Sequence, residues 1–80
     1  MTVETLTAEQ IAKHYSAAED SVTLINELVA LSERDDEQVD TVRRNVEHLE
    51  IMVAKDFWTT EDLAPLNAAI TAGTAVLPAE

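Results

Sequence analysis

The chain has 80 residues and a mass of 8.8 kDa, which fits one domain and leaves no room for two. Apolar residues make up 46% of it, enough for one small core and too many for a disordered tail. Sixteen Asp and Glu against five Lys and Arg give a net charge of −11, and Cys is absent. Nucleic acid and anionic membrane surfaces are therefore disfavoured as partners, and disulfide scaffolds, thiolate metal centres and Cys nucleophiles are excluded.

The opening Met1-Thr2-Val3-Glu4-Thr5 has neither a basic start nor an apolar run behind it, so it does not read as a signal peptide. No apolar stretch approaches the ~20 residues of a membrane span. With one Gly and two Pro, the chain has too few turn formers for an all-β fold, and its apolar spacing is helical.

The first helix is expected over about 8–33. Thr7-Ala8-Glu9-Gln10 matches a capping box, in which the Thr hydroxyl accepts from the amide of Gln10 while the Gln10 side chain reaches back. Ile11, Tyr15, Ala18, Val22, Ile25 and Val29 then follow at alternating steps of four and three, forming a seam on one face. A second row, Leu24, Leu28 and Leu31, widens the apolar arc toward what a helix wedged between two others needs.

Ser32-Glu33-Arg34-Asp35-Asp36 forms the link, and Asp35 with Gln38 three residues on resembles a second cap. The second helix is expected over about 37–57, with Val39, Val42, Val46, Leu49 and Val53 as its seam. Asp40–Arg44 and Arg43–Glu47 are spaced as exposed ion pairs. A short link makes the two helices antiparallel neighbours. Ile51 points away from the seam, and Ala54 and Trp58 share its face at spacings of three and seven. Either the third segment or a partner covers that side.

Asp62 is placed to cap a short third helix over about 62–72, with Pro65 in its first turn and Gly73 as its natural end. Leu63, Leu66, Ala69 and Ile70 give it an apolar stripe. Residues 74–80 form an apolar tail in which Val76 and Leu77 dock either on the helices or on another subunit. The fold class expected is all-α: an antiparallel helical hairpin covered by a shorter third helix, with a hairpin that self-associates into a four-helix bundle as the competitor.

Sites for chemistry are few. His14 and His48 stand on different helices, neither with an H-x-x-x-H partner, and Glu47 and Glu50 flank His48 rather than converge with it. Glu33, Asp35, Asp36, Glu37 and Asp40 form an acidic run without the alternation, central Gly or closing Glu of a calcium loop, so they read as a solvated cluster or a patch for a basic partner. Ser16, Ser21 and Ser32 lack a nucleophile elbow, and there is no Gly-rich phosphate loop. No catalytic residue, metal site or cofactor is expected, and the chain does not read as an enzyme. Phe57-Trp58 is the densest aromatic feature, read as core or as a binding hot spot.

The stretch from His48 to Leu63, its continuation Ala64-Pro65-Leu66-Asn67-Ala68-Ala69-Ile70-Thr71-Ala72-Gly73, and the pieces Ile11-Ala12-Lys13-His14-Tyr15 and Asp20-Ser21-Val22 resemble small acidic helical proteins encoded by tailed bacteriophages, marine ones in particular. The resemblance carries no enzymatic motif and implies no role for any single residue. It implies a phage origin; beside it, the apolar surplus and tail suggest one function and the −11 charge with the acidic cluster another. One is a virion-associated structural protein of the head surface, neck or tail-fibre region. It would contact other phage proteins or itself through Ile51, Phe57, Trp58, Val76 and Leu77. The other is an acidic early regulator in the host cytoplasm, binding a basic host surface in the manner of a nucleic-acid mimic.

Overall fold

The computed structural model describes residues 7–58 and 60–78. Three helices follow in order: α1 (Ala8–Val29), α2 (Asp36–Val53) and α3 (Ala64–Val76). Each packs against the other two, forming a small three-helix bundle with no strand among the described residues. Four cross-contacts set the directions. Ser21 meets His48 and Tyr15 meets Trp58, so α2 runs antiparallel to α1. Tyr15 also meets Asp62, and Ile25 lies beside Gly73, so α3 runs alongside α1 in the same direction.

Both capping boxes form. Thr7 Oγ1 accepts from Gln10 N at 3.1 Å while Gln10 Oε1 accepts from Thr7 N at 2.9 Å. Asp35 Oδ1 and Gln38 Oε1 do the same reciprocally at 2.7 and 2.9 Å. Each box satisfies two backbone donors that a helix start leaves free.

The seams close on one another as their spacing predicts. Ala18 and Ile25 from α1, Val42, Val46 and Leu49 from α2, and Leu66 and Ala69 from α3 form one buried cluster. Complete burial of a side chain such as Ile25, Leu49 or Leu66 contributes roughly 1.5–3 kcal/mol. Tyr15, Val22, Val29, Val53, Leu63 and Ile70 border the cluster, half-buried.

The helix ends differ from expectation. α1 stops at Val29 rather than near 33, because Arg34 reaches back from the link. Its Nη1 donates to Leu31 O at 2.8 Å and Leu28 O at 3.0 Å, with Val29 O at 3.4 Å. Carbonyls that another turn of helix would use are thereby occupied. α2 stops at Val53 rather than Phe57. Lys55 N and the Trp58 indole Nε1 both donate to Met52 O, at 3.1 and 2.8 Å, folding the chain back over the helix end. Trp58 therefore does not share a face with Ile51, and Ala54 lies beyond the helix, exposed.

α3 starts two residues late and continues through Val76 rather than ending near 72. Asp62 Oδ1 accepts from Ala64 N at 3.0 Å, and Pro65 sits in the first turn. Gly73 is not a stop signal. It is buried inside the helix with no positive φ, its missing side chain facing Ile25 of α1 and Val42 and Val46 of α2. Residues 74–76 are thus helix rather than tail. Val76 and Leu77 pack half-buried against the chain's own core. The expected opening segment and the last two residues of the expected tail lie outside the described residues.

Candidate functional site

Polar chemistry in the bundle is given over to holding it together. Ser21, 5% exposed in the middle of α1, shares a 2.8 Å hydrogen bond with His48 Nδ1 on α2. A hydroxyl beside an imidazole is half of a nucleophile–base arrangement, but this hydroxyl is buried between packed helices and so joins α1 to α2. Ser16 and Ser32 are exposed, as are Glu47 and Glu50 beside His48. His14 lies against Phe57, ring centroids 5.3 Å apart. Among the described residues, no three or more His, Asp or Glu come together in a way that could hold a metal ion, and no buried side-chain nitrogen or oxygen lacks a hydrogen-bond partner.

The aromatic residues gather at one end of the bundle. Phe57 and Trp58 lie 4.6 Å apart, and Trp58 meets Tyr15 edge-on at 5.9 Å. Tyr15 Oη donates to Asp62 O at 2.6 Å, so the ring of α1 fastens the loop that leads into α3. Its phenol is pushed above its ordinary range, first by partial burial and then by the carboxylates of Glu19, Asp62 and Glu61. Phe57 and Trp58 are both half-buried, and the polar edge of Trp58 is committed to Met52. They clamp the α2–α3 loop.

The acidic run lies at the opposite end. Asp35 caps α2, Asp36 and Glu37 occupy its first turn, where the helix dipole favours them, and Glu33 is exposed in the link. Asp40 pairs with Arg44 at 2.9 Å and with Arg43 at 3.7 Å, so Arg43 turns back to Asp40 instead of forward to Glu47. These exposed pairs contribute little to stability.

Of the five apolar residues expected to contact a partner, Ile51 stands clear of the bundle, 58% exposed, and α3 does not cover it. The other four are half-buried. Leu24 and Leu31, each 42% exposed, join Ile51 as the large apolar side chains left in water among the described residues. Read as part of a wide buried arc, both belong instead to an outward row. Ala17, Leu24 and Leu31 repeat at intervals of seven and are all exposed, beside the seam that enters the core.

No helix among the described residues is long and apolar enough to cross a membrane. Comparison with known proteins finds no matching family model, no curated relative and no similar solved structure.

Proposed function

We propose that the chain is a non-enzymatic interaction protein, placed as a structural component of a phage virion at the head surface, neck or tail-fibre region. One observation carries the interaction part of this reading: Leu24, Leu31 and Ile51 stay in water on a bundle with a closed core and paired buried polar groups. Burying any one of them in a partner would gain about 1–2 kcal/mol, and a repeating particle multiplies modest contacts of that size. The placement in a virion rests on the resemblance of residues 48–73, with 11–15 and 20–22, to small phage-encoded proteins. Mass spectrometry of purified particles of the phage carrying the gene tests it. Peptides of this chain at a copy number matching a capsid or tail symmetry are expected; their absence from particles while infected cells contain the protein would overturn the placement.

The net charge of −11 favours a second reading, an acidic regulator binding a basic surface on a host protein. Exposed Glu33, Asp35, Asp36 and Glu37 at one end of the bundle would supply that contact. Its mark is a complex that weakens steeply with added salt, since a contact made by charges is screened. A host complex insensitive to salt would sink it.

A further inference from the structure

The exposed row on α1 has a chemistry that narrows what it can meet. Ala17, Leu24 and Leu31 repeat every seven residues, and the Leu31 amide donates to Leu28 O at 3.2 Å, carrying the row just past the end of the helix. Ser21 and Leu28 interleave with them on the α2 side, where Ser21 meets His48. On the outer side the row is bordered by Asp20 and Glu27, both exposed, one turn before and one turn after Leu24. Among the described residues the ion pairs are those of Asp40 with Arg43 and Arg44, and neither Asp20 nor Glu27 takes part in one. Arg34 is turned onto the carbonyls ending α1, Arg44 is paired with Asp40, and Lys13 lies a full turn beyond Ala17.

We propose, building on the interaction reading above, that this face docks an amphipathic helix of another protein, with apolar side chains at heptad-like spacing flanked by Lys or Arg. The apolar side chains would cover Ala17, Leu24 and Leu31, and the cations would pair with Asp20 and Glu27. A second copy of the chain fits the face poorly. In an antiparallel pairing of two α1 helices, Asp20 and Glu27 of one copy face Glu27 and Asp20 of the other, and each copy brings a charge of −11. An anionic lipid surface meets the same repulsion.

The test titrates the isotope-labelled full chain with a synthetic helix of about 18 residues, leucine at heptad positions and lysine elsewhere, at about 0.15 M salt. A control peptide carries glutamate in place of lysine. The expected result is amide shifts centred on residues 17–31 with the lysine peptide and none with the glutamate peptide. A Leu24→Ser, Leu31→Ser variant, folded because both residues are exposed, should bind roughly tenfold or more weakly, and Ile51→Ser should bind as wild type does. Binding unchanged in the double variant would show capture by charge alone and overturn the proposal. So would equal binding of the glutamate peptide, no binding of either, or a dimer in sedimentation that the double variant abolishes. Shifts centred on Ile51 would overturn this face while leaving the interaction reading intact.

Discussion

Gly73 of α3 sits so close to Val46 of α2 that a Cβ added there would lie 2.5 Å from Val46 Cγ2, with Ile25 Cγ2 at 3.2 Å and Val42 Cγ1 at 3.3 Å. All three neighbours are β-branched and buried, so none can swing aside cheaply. The missing side chain is what allows the third helix to settle into the groove of the hairpin.

Gly73→Ala is accordingly expected to destabilise the bundle. Alanine improves helix propensity by about 1 kcal/mol, but overpacking a site this tight costs about 1–3 kcal/mol, leaving a net loss near 1 kcal/mol. Combining it with Val46→Ala should give less damage than the two single changes summed, because the second change removes the nearest clash. Thermal melts of the four proteins check this. A higher melting temperature for Gly73→Ala would contradict the close approach.

The exposed and buried faces of α1 predict opposite responses at adjacent positions. Ile25→Ala empties a fully buried site and should cost about 2–5 kcal/mol, enough to threaten folding of so small a domain. Leu24→Ser, one residue away on the outer row, should change stability by roughly 0.5 kcal/mol or less. Urea unfolding of the two variants distinguishes the faces; comparable losses would mean that Leu24 is not on the surface.

Arg34→Ala should loosen the end of α1 more than the rest of the bundle. It removes donors from Leu28 and Leu31 carbonyls, a loss of about 1 kcal/mol, while Arg34→Gln should recover part of it. Hydrogen exchange reads the effect locally, as faster exchange at Ala30 and Leu31 than at Ile25. Uniform acceleration along α1 would assign Arg34 a global role instead.

Tyr15→Phe keeps the ring against Trp58 and removes the hydrogen bond to Asp62, which should cost about 0.5–1 kcal/mol near neutral pH. The phenol loses its proton less readily in the folded chain than at its ordinary value of 10.0, chiefly through partial burial. Above that value the unfolded chain deprotonates first, so the stability contributed by the protonated phenol is complete below it and lost as pH rises through the higher folded value. The advantage of the native chain over Tyr15→Phe should therefore shrink under alkaline conditions. A gap that widens above pH 10.0 would reverse the sign assigned to Tyr15.

Much of the bundle is legible in the sequence, for a physical reason. Capping boxes at Thr7–Gln10 and Asp35–Gln38, and the heptad-like seams of α1 and α2, are local patterns, and nothing distant competes with them. The helix ends are not local. α1 and α2 end where Arg34 and Trp58 reach back to backbone carbonyls, and neither side chain announces that reach by its spacing. Gly73 reads as a helix stop because glycines past a helix end usually are, whereas its role here is set by the approach of Val46 from another helix. The outward row was the least legible. Leu24 and Leu31 have the same apolar character as the core seam, and only the position of α2 decides that they remain in water.

The most direct test of the functional account is incorporation of a Leu24→Glu, Leu31→Glu variant into phage particles beside the native chain. Both proteins should show the same helical circular dichroism, since neither position is buried. The native chain is expected in purified particles at a fixed copy number, and the variant is expected to be lost from them. Retention of the folded variant at the native copy number would contradict the functional account.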